Sequence, residues 1–159
     1  MDRMNKDLLD KLILFTATGF GLGRAPVAPG TFGTLAALPL VWIMALLNPL
    51  HTGFFLICLV LAAISIANRA EILMGQKDPG AIVIDEMAGY CVTLSLVVPG
   101  PVSIGAGFLA FRCFDILKPW PVRYFEKKYS GGAGVVLDDI MAGVMAAVVL
   151  KILNLTGLL

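Results

Sequence analysis

Apolar positions along this chain fall into one short periodic stretch followed by five nearly continuous runs. Residues 4 to 18, "MNKDLLDKLILFTAT", set Leu8, Leu9, Leu12, Ile13 and Phe15 among acids and lysines. Apolar residues three and four apart predict an amphipathic helix lying on a surface or against other helices. The mixture of charges does not read as a signal peptide. The runs at about 34–50, 54–69, 81–98, 102–118 and 135–151 are apolar on every face and predict membrane spans. Several are nearer 16 to 18 residues than the roughly 20 a straight span needs, but they are consecutive and the linkers are short. The expected fold is all-α: a polytopic membrane helical bundle of about five spans plus the N-terminal helix, with residues 1–159 forming a single domain. A soluble helical protein with an unusually apolar core is the alternative.

Composition favours lipid as part of the solvent. The chain has 159 residues, of which 58% are hydrophobic and 14% charged, against about 25% charged in an ordinary soluble domain. A net charge of +1 gives no basis for a nucleic-acid partner. Cys58, Cys91 and Cys113 lie in apolar runs, without a C-x-x-C pair, so neither a disulfide framework nor a zinc site is indicated. All three read as small buried apolar residues. The single histidine, His51, reads as a plain loop residue.

Charge position says more than the total. With the N-terminus inside and the spans alternating, ten of the twelve Lys and Arg fall in inside segments. These are Arg3, Lys6, Lys11 and Arg24, then Arg69 and Lys77, then Lys118, Arg123, Lys127 and Lys128. The outside loops, 48–53 and 99–101, carry none, as the positive-inside rule requires. On this topology Asp85 and Glu86 open the third span, Asp115 closes the fourth, and Asp138 and Asp139 open the fifth. At about 1.5 Å per residue all five acids lie roughly 5 to 9 Å below one boundary, the cytoplasmic one. Ionisable groups in spans are expensive and usually face the bundle interior. Helix-dipole complementarity contributes only about 0.3 to 1 kcal/mol for each acid near a helix N-terminus. Pairing of Asp115 with Arg112 or Lys118, three residues away on either side, would neutralise one acid but not five.

Five carboxylates at one depth repel unless protonated or metallated. Oxygen donors without histidine or cysteine suit a hard cation, and Mg²⁺ is the usual choice beside phosphate. The segments "IVIDEMAG" (82–89) and "VVLDDIMAG" (135–143) echo each other one residue out of register. That marks either two halves of a metal site or chance similarity between apolar stretches. Before the first run, "GFGLGRAPVAPGTFGT" (19–34) reads as an ordered loop. In it Thr31 or Thr34 would cap a helix whose free N–H groups attract an anion, and Arg24 would reach phosphate oxygens. A rigid turn with a snorkelling arginine is the simpler alternative. Pro119 and Pro121 stop the fourth helix after Lys118. Beyond it, Trp120, Tyr124 and Phe125 interleave with Arg123, Lys127 and Lys128, a mixture suited to an anionic headgroup layer.

A metal-binding acid cluster ringed by bases at a membrane surface is shaped for a phosphate on a phospholipid headgroup. Mg²⁺ would lower the pKa of a water, and Arg24, Lys118 and Arg112 would stabilise phosphoryl charge. No Ser-His or Cys-His pairing is present, so direct attack by water is preferred over an aspartyl-phosphate. A cation-coupled transporter using the same acids is the rival reading, and a scaffold without chemistry is a third.

Four ordered segments, "ATGFGLGRAPVAPGTFGTLAALP" (17–39), "DPGAIVIDEMAGY" (78–90), "FRCFDILKPWPVR" (111–123) and "GGAGVVLDDIMAG" (131–143), resemble the phosphatidylglycerophosphatase A family over almost the full length. The resemblance implies Mg²⁺-dependent hydrolysis of phosphatidylglycerophosphate to phosphatidylglycerol and phosphate at the cytoplasmic face of a bacterial inner membrane. It carries site roles to Arg24, Pro29, Gly30 and Thr31, to Asp78, Asp85 and Glu86, to Arg112, Asp115 and Lys118, and to Asp138 and Asp139. Asp78 and Arg123 stand as accessory candidates, with the five span acids as both catalytic and metal-ligating residues.

Overall fold

A computed structural model describes residues 3–159, without the side chain of Arg3, whose place among the expected inside cations lies outside the described residues. The described chain is helical throughout and holds no strand. The first helix, α1 (Arg3–Ala17), is amphipathic as the spacing predicts. Ile13, Leu14 and Ala17 join a core cluster with Ala63, Ala67 and Ala70, and Asp10 meets Arg69 at 2.9 Å. A 3₁₀ turn (Leu22–Arg24) leads to α2 (Pro29–Ala36) and α3 (Leu38–Ala45). Then follow α4 (Pro49–Met74), α5 (Ile84–Thr93), α6 (Pro101–Leu117), α7 (Val122–Lys128) and α8 (Gly132–Leu155).

The hub is α8, which packs against α4, α5, α6 and α7, most extensively against α5. Small residues allow this. Gly132, Gly134, Ala142, Gly143, Ala146 and Ala147 of α8 are buried, and without bulky side chains backbones approach closely enough for dispersion to hold helices together in an apolar solvent. At the crossing of α5 with α8 the two glycines face each other's backbone: a Cβ on Gly143 would collide with the Gly89 carbonyl, and one on Gly89 would stand 2.7 Å from the Asp139 carbonyl oxygen.

Two helices are long and apolar enough to cross a bilayer, α4 with 26 residues and α8 with 24. On α4 the small residues Ala63, Ala67 and Ala70 face the protein, while Phe54, Ile57 and Leu61 are exposed. An outward apolar surface of this kind is suited to lipid. The sequence count of about five spans is not reproduced by helix length. The first run is divided between α2 and α3 at Ala37, and α6 has 17 residues. The third run yields only the ten residues of α5, or about 15 Å of helix. Eight of those ten are buried, so α5 is apolar because protein surrounds it.

Two smaller expectations are corrected. Only Cys91 is buried; Cys58 and Cys113 are exposed, since a thiol meets acyl chains as readily as a core. Cys113, two residues before Asp115, does not line the acid cavity. His51 is helical, in the first turn of α4, where its backbone N–H donates to the capping Asn48 Oδ1 at 3.0 Å.

Gly143→Val should lower the unfolding midpoint of the detergent-solubilised protein by several degrees, overpacking the crossing at a cost of about 1–3 kcal/mol. Gly105→Ala, on α6 with nothing within 4 Å of its added Cβ, should leave the midpoint unchanged or slightly raised. Equal midpoints for Gly143→Val and the wild type would refute the close crossing.

Candidate active site

The acids converge. A cavity of about 280 Å³ is lined by Asp85 and Glu86 from α5, Arg112 and Asp115 from α6, Lys118, and Asp138 and Asp139 from α8, with Asp78, Ala28, Pro29 and Gly30 at its border. Their helices explain the meeting. Asp85 and Asp139 each stand four residues, about one turn, before a crossing glycine, Gly89 and Gly143 respectively. Pressing the glycines together sets these two carboxylates side by side. The sequence echo has this structural meaning when aligned on its glycines: Asp85 pairs with Asp139. Helix-dipole complementarity holds for Asp85 and Glu86, in the first turn of α5. Asp138 and Asp139 lie about two turns into α8, too deep for that effect.

The five acids divide by partner. Arg112 Nη1 donates to Asp115 Oδ2 and lies 3.8 Å from Glu86 Oε1. Lys118 Nζ donates to Asp138 Oδ2 at 2.8 Å and to Glu126 Oε1 at 2.9 Å. Asp85, Glu86 and Asp139 each bring one carboxylate oxygen within 4.8 Å of the other two. Glu86 Oε2, Asp138 Oδ1 and Asp139 Oδ2 are buried without a hydrogen-bond partner among the described residues, as is the donor Arg112 Nε. Unpaired buried polar atoms are costly and rare. Here acceptors and a donor stand unpaired around one cavity. The oxygen-only donor set with its orphaned atoms fits a hard divalent cation.

The backbone is held in unusual conformations around the same space. Of the four non-glycine residues with positive φ among those described, Ala28 (+50°), Asp78 (+47°) and Lys118 (+43°) line the cavity; strain of this kind concentrates at functional sites. The Gly-rich loop brings α2 onto the acids through Gly30, where a Cβ would collide with Glu86 Oε1 and stand 2.8 Å from Arg112 Nη1. Gly23 and Gly33 of the same loop pack on Val83, just before α5.

Not every residue predicted for the site gathers there. Arg24 is exposed and lines a separate cavity against α1 with Lys11 and Phe15. Thr31 does not line the acid cavity, and α2 begins after Ala28 without a side-chain cap. The Thr34 hydroxyl donates to Gly30 O at 2.8 Å instead. Arg123 lies in a neighbouring cleft with Trp120 and Lys127. Sequence reasoning also missed two acids. Glu71, 9% exposed on α4, accepts the Asp78 backbone N–H at 2.6 Å through Oε1 and so holds the loop before α5. Glu126 shares Lys118 with Asp138. The rule that flagged the other span acids would have found Glu71 had α4 been extended from 69 to its observed end at Met74.

A model of the phosphatidylglycerophosphatase A family matches residues 15–154. Phosphatidylglycerophosphatase A of Escherichia coli (strain K12) is 37% identical over 135 residues, 84% of this chain and 78% of the relative. The protein of the same name from Haemophilus influenzae is 40% identical over 138 residues, 84% of this chain and 83% of the relative. A Bacteroides thetaiotaomicron protein provisionally named a phosphatidylinositol-3-phosphatase is 38% identical over 151 residues, 89% of this chain and 92% of the relative. No solved structure matches the chain. The family match spans every acid and base that lines the cavity, and with these identities the chain belongs to the phosphatidylglycerophosphatase A family.

Proposed function

We propose that this protein hydrolyses the phosphate monoester of phosphatidylglycerophosphate, giving phosphatidylglycerol and phosphate, with Mg²⁺ as cofactor, at the cytoplasmic face of a bacterial membrane that it crosses several times. The observation that carries the reading is the set of orphaned atoms: unpaired buried carboxylate oxygens and an unpaired guanidinium donor around one cavity. Six carboxylates and two cations line it, an excess that calls for positive charge. The family membership and the relatives' names support the lipid and the reaction. The clustering of Lys and Arg in the predicted inside segments supports the orientation.

Asp85, Glu86 and Asp139 would hold the metal. When bound, Mg²⁺ neutralises phosphate charge and makes a nearby water more acidic. Arg112, steadied by Asp115, offers its unpaired Nε to a phosphoryl oxygen. Lys118 offers Nζ on the adjoining side, steadied by Asp138 and Glu126. Both cations thereby stand preorganised where charge develops. Asp138 accepts from Lys118 through Oδ2, which leaves its unpaired Oδ1 to take a proton from the attacking water. The new P–O bond forms as the bond to the glycerol oxygen breaks, and that oxygen leaves as an alcohol on regaining a proton. The transporter reading has less support. At the other end of α5 and α8, where residues 47–53 and 94–99 meet Lys151, the cavity of about 620 Å³ has no acid among its lining residues, so an ion path to the other face lacks carboxylate ligands.

Phosphate release by the purified protein from phosphatidylglycerophosphate should require Mg²⁺. In Asp85→Asn and Asp139→Asn it should fall about 100-fold or more, the scale of a lost transition-state contact. Full activity in both variants would remove these residues from the site. Independently of turnover, Mg²⁺ at 100 times its Kd should add about 2.7 kcal/mol of stability and raise the unfolding midpoint by about 5–10 °C. Asp139→Asn should abolish most of that rise, and an undiminished rise would place the metal elsewhere.

A further inference from the structure

Beside the acid cavity lies a cleft of about 380 Å³ whose lining includes Lys118, Trp120, Arg123, Tyr124 and Lys127 and no acid. Its charge is opposite in character to that of the acid cavity. Neither Arg123 nor Lys127 has an ion-pair partner among the described residues. Lys118 lines both spaces and so stands at their boundary. Trp120, 82% exposed, and the exposed Leu117 give the cleft an apolar wall of the kind that meets lipid at a membrane surface. Lys128 lies on the same short helix but outside this lining, and instead caps the Tyr124 and Tyr129 rings at 5.0 and 5.6 Å.

We propose that this cleft binds the phosphodiester of the substrate lipid itself. It thereby selects lipids in which a diester phosphate stands one headgroup away from the phosphate to be removed. The proposal rests on the lipid-phosphatase reading and adds a second phosphate site to it. The physical argument is charge complementarity. A singly charged diester gains nothing from the acid-lined cavity but finds two unpaired cations in the cleft. The guanidinium of Arg123 suits paired phosphate oxygens, while Lys127 acts as a point charge. With the diester held there, the chain beyond it is directed past Lys118 toward Arg112 and the carboxylates, and acyl chains leave over Trp120 and Leu117.

The test uses the full chain in neutral detergent with Mg²⁺. Its substrates are phosphatidylglycerophosphate, which has both a diester and a monoester, and phosphatidic acid, which has a monoester only. Arg123→Gln/Lys127→Gln should raise KM for phosphatidylglycerophosphate about tenfold or more, as expected for lost charge-assisted contacts, with kcat within about twofold. Its kinetics on phosphatidic acid should match the wild type, and Lys128→Gln should change neither substrate. Equal losses on both substrates, no loss, or a loss seen only after anionic lipid is added to the micelles would overturn the proposal; the last would assign the cations to the bulk membrane. A binding arm does not depend on turnover. In a Trp42→Phe background, Trp120 fluorescence should report saturable binding of phosphatidylglycerol that Arg123→Gln/Lys127→Gln abolishes and Lys128→Gln keeps. Absence of hydrolysis by the wild type with this binding intact would sink the phosphatase reading and leave a lipid-diester site. Hydrolysis without saturable binding would sink the diester site alone.

Discussion

The contact between the α5 and α8 backbones at Gly89 and Gly143 governs where the charges of this protein stand. The atom that closes most tightly on Gly89 from the α8 backbone is the carbonyl of Asp139 itself, so the residue that supplies a carboxylate also supplies the packing surface. One turn before the crossing, Asp85 and Asp139 face the same space, and Glu86 joins them from the next position on α5. A side chain at either glycine would push the helices apart by more than the tolerance of a metal or phosphate site. Catalytic geometry of this kind degrades with displacements of about 1 Å. Packing and chemistry are therefore one constraint here. The small residues of α8 let its backbone approach its neighbours closely, and they also fix the distances among the anions.

That arrangement creates an electrostatic problem which the rest of the cavity answers in part. Arg112 and Lys118 engage Asp115 and Asp138, and Arg112 also lies 3.8 Å from Glu86, while Glu86 Oε2 and Asp139 Oδ2 stay without a hydrogen-bond partner among the described residues. Burying carboxylates without partners costs far more than burying paired ones, so this group sits in the cavity at an electrostatic cost. Outside the cavity the sign reverses. Cations without carboxylate partners line the adjoining cleft, and Lys118 stands at the boundary. Charge is thus graded along a path from an exposed, aromatic, basic surface to a buried acidic end. A polyanionic lipid entering along that path meets attraction first, and meets the carboxylates only where Arg112 and Lys118 already flank them.

Much of this was legible in the sequence because apolar surroundings make charge expensive. An acid in an apolar run has few innocent explanations, so Asp85, Glu86, Asp115, Asp138 and Asp139 stood out, and they line one cavity. Of the two loops read as outside, 48–53 and 99–101, residues from both, Pro49, Thr52, Gly53 and Pro99, line one cavity that shares no residue with the acid cavity. What apolar runs do not encode is what surrounds them. Lipid and protein select the same side chains, so α5, buried on almost every face, reads like a span at ten residues, and Cys58 reads as buried when it is exposed. Arg24 carried the chemistry of a phosphate ligand without its position. A 3₁₀ turn points it toward α1, and turn geometry of that kind has no periodic signature. Glu71 was hidden by a boundary, because the last turn of α4 is less apolar than its centre.

Glu71 also shows how the rim is kept in register. Asp78 adopts φ of +47°, a conformation that costs a non-glycine residue roughly 1 kcal/mol or more. It would relax if nothing held it. The bond from its N–H to the buried Glu71 carboxylate, 2.6 Å long, supplies that restraint from α4, a helix that contributes no lining residue of its own. Lys118, at φ +43°, has its backbone N–H bonded to Phe114 O within its own helix, while its side-chain Nζ is held by two carboxylates on different helices, Glu126 on α7 and Asp138 on α8. The strain therefore sits in the segments bordering the cavity, at Ala28, Asp78 and Lys118, while the five span acids ride on regular helix. A site built in this way keeps its anions fixed by packing and leaves its entrance adjustable by charge.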